Sequence, residues 1–188
     1  MIIIGLTGSL ASGKTTASKI IADKKGPLFS ADKVVKKLYN QKKFKRILSK
    51  KLNFGNDKNF KKNLKNKILK KKEILGKLEK IIHPLVRKEM FIFLKKNLKK
   101  NFLFLEIPLL IESKLAKYFD VIIFIKSNKN LRLKRFMLRG GSPDLFSVLD
   151  NHQIKDSKKM KFCDHIVVNN KSLSVLKKNL LNIINLYE

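Results

Sequence analysis

The element that most constrains this chain lies at its start. An apolar, β-branched run at 2–6 leads into Gly8-Ser9-Leu10-Ala11-Ser12-Gly13-Lys14-Thr15 and then into a helical pattern at 14–24. The segment satisfies G-x-x-x-x-G-K-[ST] in the strand-to-helix setting that gives the pattern its chemistry. Glycines let backbone N–H groups turn inward around phosphate oxygens, and the helix start adds the positive end of a dipole. A lysine at position 14 reaches β- and γ-phosphates, and the hydroxyl of Thr15 binds Mg²⁺. The reading is a nucleoside triphosphate site using ATP and Mg²⁺, with Gly8, Ala11, Ser12, Gly13, Lys14, Thr15 and Thr16 around the nucleotide.

A phosphate loop of this kind demands an α/β sheet, and the rest of the chain supplies one. Further apolar runs at 28–29, 102–105, 121–125 and 166–168 read as buried parallel strands, with helical patterns at 128–138 and 172–186. The expected fold class is α/β, a three-layer P-loop NTPase core with a mostly parallel sheet. That core takes residues 1–32 and 101–188. Residues 33–100 hold no convincing strand and read as an inserted helical subdomain, with breaks near 53–59 and at Pro84, where a new helix is expected to begin. A small lid is expected at 139–152, where Gly140-Gly141-Ser142-Pro143 ends one helix and starts another. The two glycines read as a hinge.

Composition narrows the class further. The net charge of +30 points to polyanions, yet Arg occupies only five of the 44 basic positions, at 46, 87, 132, 135 and 139. Phosphate and base readers favour the guanidinium fork, so the lysines read mainly as a solvated surface. The single Cys163 excludes an internal disulfide framework. With no signal-peptide pattern and no run of about 20 apolar residues, a cytoplasmic protein without membrane or specific nucleic-acid partners is expected, acting as a monomer.

Two carboxylates draw attention. Asp32, just past the second apolar run, is placed to take a proton from an acceptor hydroxyl or to position Mg²⁺; the alternative is a helix N-cap for the run from Lys33. Glu106 closes the third run, either near the metal and substrate or as a solvated strand end.

Taken together, the motifs resemble those of dephospho-coenzyme A kinases along nearly the whole chain. Gly5-Leu6-Thr7-Gly8 with the loop, Ala31-Asp32, Leu78-Glu79 with His83-Pro84, and Pro108-Leu109-Leu110-Ile111-Glu112 carry the resemblance, followed by Arg135, Arg139, Gln153 and the stretch 164–170. The resemblance implies transfer of the ATP γ-phosphate to the ribose 3′-hydroxyl of dephospho-coenzyme A. It makes Asp32, Lys14 and Arg139 catalytic, puts Asp32, His83, Arg87 and Glu106 on the acceptor, and Arg135 and Asn170 on the nucleotide. Gln153, Asn169 and Asn170 either line the base or cap their elements. Ser9 and Ala11 stand where the family has glycine, which reads as two positions without need of a permissive backbone. Ser30 replaces a first Asp, and the 53–73 stretch keeps little of the family pattern, with Lys61 near an expected Arg.

The arginine placement gives an argument without the family. Three of five arginines fall at 132, 135 and 139 before the glycine pair, spaced to share a helix face. Bidentate capture of triphosphate oxygens explains that preference, most of all for Arg139. Two rival readings stay open: another P-loop small-molecule kinase, acting on a nucleoside or nucleotide, and a basic RNA-binding accessory protein.

Overall fold

The computed structural model describes residues 1–53 and 59–188. Five strands form one parallel sheet: β1 (Ile2–Gly8), β2 (Leu28–Ser30), β3 (Phe102–Glu106), β4 (Val121–Lys126) and β5 (His165–Val168), in the order β2-β3-β1-β4-β5. The helices are α1 (Lys14–Ala22), α2 (Ala31–Asn40), α3 (Lys42–Leu52), α4 (Phe60–Lys70), α5 (Glu73–Lys96), α6 (Lys129–Met137), α7 (Pro143–His152), α8 (Asp156–Lys159) and α9 (Leu173–Ile184).

The strand pleat divides the core in two. Phe102 and Phe104 face α1 and α9, where Ala17, Ile21, Leu176, Leu180 and Ile184 are buried; Leu103 and Leu105 face the other way. On that second face one continuous core runs through Leu48 of α3, Leu64 of α4 and Leu78, Val86 and Met90 of α5 to the sheet. The result is three layers, helix on sheet on helix. Because all strands are parallel, their carboxyl ends gather Gly8, Ser30, Glu106, Lys126 and Val168 along one edge, the ordinary place for a ligand site in such a sheet.

Pro84 does not break the helical layer. It lies inside α5, which runs unbroken from Glu73 to Lys96. The buried stripe Ile74, Leu75, Leu78, Ile82, Val86 and Met90 holds the helix through the proline. Each such side chain contributes about 1.5–3 kcal/mol, against about 3 kcal/mol for an internal proline. Pro84 and Lys80 are both exposed, so the carbonyl that loses its partner faces water. The break expected near 53–59 has its first residue in view: Asn53 ends α3 with φ 50°. The part at 54–58 lies outside the described residues.

The segment after α6 closes with a paired turn, Gly141 N–H to Phe136 O at 3.1 Å and Gly140 N–H to Met137 O at 2.9 Å, the bonding of a Schellman motif. Gly140 takes φ +81°. A side chain at Gly141 would meet the Phe136 ring at 2.1 Å. Ser142 then caps α7, accepting from Leu145 N–H at 3.4 Å, with Pro143 in its first turn. Among the described residues no helix is long and apolar enough to cross a membrane.

Candidate active site

The loop after β1 is held from several sides. Gly8 lies against β4 so closely that a Cβ would meet Ile125 O at 2.4 Å, which fixes glycine there. Ser9 Oγ donates to the Asp156 carboxylate at the start of α8. The Ser12 carbonyl accepts from Asn169 Nδ2 at 2.9 Å and Arg135 Nη1 at 3.4 Å. These bonds draw that carbonyl towards Asn169 and Arg135, while the first N–H groups of α1 keep no partner within the helix. Ala11 has φ +57°. The expectation that this position needs no permissive backbone is therefore corrected: the loop turns left-handed here and an alanine tolerates it, as an L residue can at about 1–2 kcal/mol.

Lys14 is buried, and its Nζ donates to Gly8 O at 3.0 Å and Ser9 O at 2.8 Å. Burial lowers its pKa to about 8, with Asp32 and Glu106 opposing the fall. Asp32 is exposed to the cavity, yet the groups crowded around its carboxyl desolvate it and push it above the ordinary carboxylate range, against the pull of Lys14. It is the second residue of α2; Ser30 occupies the N-cap. The N-cap alternative for Asp32 is thus excluded, and its carboxylate is free of that duty. Glu106 is 1 % exposed, which overturns the solvated-strand-end alternative. Its Oε1 accepts from Thr15 Oγ1 at 2.5 Å and its Oε2 from Ser30 Oγ at 2.9 Å. Ser30, in the place of an acid, thus works as a donor to the neighbouring acid.

Two cavities open on this edge. The first, about 510 Å³, is lined by 10–15 of the loop together with Asp32, Glu106, Phe136, Arg139, Gly140, Gly141 and Gln153. The second, about 230 Å³ and mostly apolar, is walled by α2 and α5, including Val35, Tyr39, Leu78, Ile82, His83 and Arg87. They share Asp32, Pro108 and Leu109. His83 is half-buried and its pKa is lowered by desolvation, with Glu79 opposing. Arg87 is exposed and donates from Nη2 to Ser113 O at 3.0 Å.

The three clustered arginines part company. Arg132 is buried, forks onto Asp150 of α7 (Nη1–Oδ1 2.5 Å, Nη2–Oδ2 3.3 Å), donates to Leu10 O at 3.3 Å and lies 5.5 Å from the Phe146 ring centre. Arg135 braces the loop through Ser12 O, Ser127 Oγ and Asn169 O. Arg139 is exposed and lines the larger cavity. Asn170 is not brought to that cavity; its Oδ1 accepts from Ser127 Oγ and from the N–H of Asn128, the N-cap of α6. Thr16 and Gly8 do not line it either, Gly8 meeting Lys14 through its carbonyl.

A residue no pattern singles out is Lys159. It is fully buried, pairs with Glu112 at 2.6 Å and donates to Gln153 Oε1 at 3.3 Å, joining α8 to the end of α7 and to the Pro108–Glu112 element. His152 Nε2 lies 3.0 Å from Glu79 Oε1 and ties α7 to α5.

The dephospho-CoA kinase family model matches residues 2–174. The dephospho-CoA kinase of Fusobacterium nucleatum is 34% identical over 186 residues, covering 95% of this chain and 94% of the relative. A solved dephospho-CoA kinase from Campylobacter jejuni superposes with a TM-score of 0.62 at 30% identity, over 97% of this chain and 95% of that one. Shikimate kinase from Acinetobacter baumannii shares the fold, with a TM-score of 0.59 at 14% identity over 99% and 92% of the two chains. The strand order, the cradle after β1 and a match spanning nearly every residue agree: the chain belongs to the dephospho-CoA kinase family.

Proposed function

We propose that this chain moves the γ-phosphoryl group of ATP onto the ribose 3′-hydroxyl of dephospho-CoA, giving CoA and ADP. The observation that carries the reading is the shared position of Asp32, on the wall of both the phosphate cradle and the apolar cavity beside it. An acceptor held in the smaller cavity presents its hydroxyl to Asp32, which takes the proton as the oxygen bonds to the γ-phosphorus. The bond to the β–γ bridging oxygen breaks, and ADP leaves with that oxygen. Little covalent help is needed in such a loose transition state, so the work is positioning and charge. Lys14 sits within the loop to meet developing charge, and Arg139 faces it from the segment 139–152, read here as a lid over the phosphates.

The donors near the triphosphate fit a hard cation, since Thr15 and Glu106 offer only oxygen. Mg²⁺ would be held by Thr15 Oγ1 with Glu106 behind it, and when bound it neutralises phosphate charge. Residues 33–100 serve on this reading as the acceptor side, with His83 and Arg87 beside the smaller cavity.

The test is ADP release with a panel of acceptors. Turnover with dephospho-CoA and none with nucleosides or nucleoside monophosphates is expected. Turnover with a nucleoside and none with dephospho-CoA would replace this reading with a nucleoside kinase.

A further inference from the structure

Gln153 stands where two networks meet. It lines the cradle cavity together with Lys14, Asp32 and Arg139, and its Oε1 accepts from Lys159 Nζ at 3.3 Å. An ammonium group can only donate, so the amide oxygen must be the end that meets it. The NH2 end is thereby directed away from Lys159; it has no hydrogen-bond partner among the described residues and is not sealed from solvent. Lys159 itself cannot move far. It is fully buried and pairs with Glu112 Oε1 at 2.6 Å, and the same oxygen accepts from Ile154 N–H, next to Gln153, at 3.3 Å. At the other end of the four-residue helix α8, Asp156 accepts from Ser9 Oγ of the phosphate loop. One short helix therefore sets the Gln153 amide against the loop. The two sites are close enough that the Lys159 charge adds to the fall in the Lys14 pKa that burial chiefly causes. A buried ion pair seldom adds stability over apolar groups of the same volume, and this one leaves Glu112 Oε2 buried without a partner among the described residues. What it supplies is a single orientation of the amide.

We infer that Gln153 is a further catalytic residue, its NH2 group donating to an oxygen of the γ-phosphoryl group as it transfers, and that Lys159 is the positioning residue that turns it there. The inference rests on the proposed function and names a donor for its transition state. The cavity at Gln153 is the transfer end of the site, because Asp32 and Arg139 line it while Asn169 and Asn170 do not. Of the nucleotide's two ends, Gln153 thus meets the phosphates and not the base. As the acceptor oxygen bonds to the γ-phosphorus and the bond to the bridging oxygen breaks, negative charge lies on the outer phosphoryl oxygens. The amide meets that charge with an N–H, loses no proton, and adds no third cation beside Lys14 and Arg139. A donor already held in place needs no reorganisation at the moment of transfer.

The experiment measures Tm and steady-state kinetics with ATP and dephospho-CoA on full-chain variants. Gln153→Met removes both donors without adding charge, and Gln153→Glu removes them while keeping an acceptor for Lys159. Each should lower kcat about 100-fold, the usual effect of deleting one transition-state donor, with KM for dephospho-CoA little changed and the Tm of Gln153→Glu held. Lys159→Met/Glu112→Gln removes the buried pair as a whole and frees the amide to turn; kcat per folded molecule should fall about tenfold. If that variant does not fold, Lys159→Gln takes its place, since an amide at 159 can still donate to Glu112 but meets Gln153 with either end. Parental kcat in either Gln153 variant, or a loss carried by KM alone, overturns the assignment of Gln153 while leaving the proposed activity standing. Parental kcat in the folded Lys159 variant overturns the positioning role, because a merely structural tie alters Tm and not turnover. A wild-type protein that does not phosphorylate dephospho-CoA at all overturns the activity itself, and the role of Gln153 in it.

Discussion

Thr15 Oγ1 and Glu106 Oε1 are joined by a 2.5 Å hydrogen bond across the foot of the phosphate cradle. The hydroxyl comes from the first turn of α1 and the carboxylate from the end of β3, so the bond links the two elements that frame a triphosphate. Ser30 holds the second carboxylate oxygen, leaving Glu106 no freedom to turn. On the proposed function this is the metal side of the site. Glu106→Gln keeps the shape and removes the charge. It should lower kcat about 100-fold, equivalent to about 2.7 kcal/mol, and raise the half-activating Mg²⁺ concentration about tenfold. Magnesium dependence identical to the parent would remove Glu106 from the metal side.

The pH profile should carry two displaced limbs. Asp32 must be ionised to accept a proton, and desolvation raises its pKa, so the acid limb should lie above the ordinary carboxylate range. Lys14, lowered to about 8, must be charged, so kcat/KM for ATP should fall as pH climbs through about 8. Asp32→Asn should abolish the acid limb and leave about 10²–10⁴-fold less activity. Stability follows the same two groups. The raised Asp32 contributes most below its unfolded value of 3.8, and that contribution is lost as pH rises through the folded pKa. The lowered Lys14 makes stability rise from about pH 8 towards 10.5, where the unfolded chain alone still holds the proton. A profile flat between pH 7 and 9.5 would contradict the Lys14 assignment.

Ala11 supplies a test of backbone strain. Its φ of +57° costs an L residue about 1–2 kcal/mol, while glycine adds about 0.5–1 kcal/mol of unfolded-chain entropy. The balance favours Ala11→Gly by about 0.5–1 kcal/mol, a rise in Tm of about 1–3 °C, with KM for ATP unchanged. A Tm that falls would mean the loop bears no strain there.

The ease with which each part can be read from sequence follows from what fixes it. The central strands β1, β3 and β4 are buried on both faces along most of their length, so they stand out as continuous apolar runs; β5 shows a similar run but lies at the sheet edge with Ile166 and Val168 exposed, so the buried strand expected at 166–168 is corrected to a half-exposed one. The phosphate cradle is legible because its chemistry is local, one strand, one turn and one helix start. Pro84 misleads because a local rule says break while a buried stripe on the opposite side of α5 says continue, and only packing settles which is larger. The φ of Ala11 is invisible for a similar reason: the loop's ties to Asp156, Arg135 and Asn169 impose a turn that alanine by itself does not favour. Lys159 is hidden by composition. In a chain with 44 basic residues nothing marks Lys159 as fully buried against Glu112. Its only clue is the acidic end of the Pro108–Glu112 element, which needs a partner once that element is brought inside.

The arginines of α6 and the turn after it give the sharpest division between support and chemistry. Lysine carries the same charge but has no fork, so the same conservative change should produce opposite outcomes at two positions seven residues apart. At Arg132 the fork is spent on Asp150, with Leu10 O and the Phe146 ring completing a buried nest. Arg132→Lys leaves Asp150 half-paired and should cost about 2–3 kcal/mol, or about 5–10 °C in Tm, with kcat per folded molecule little altered. Arg139 is exposed at the rim of the cradle, so its fork is available for phosphate oxygens. Arg139→Lys should leave Tm within a degree and lower kcat about 10- to 100-fold, because a point charge replaces two aligned donors. Thermal melts and steady-state rates on both variants decide the matter. Equal losses of Tm, or full kcat in Arg139→Lys, would show that the arginines serve one structural purpose and that the cradle is closed by other cations.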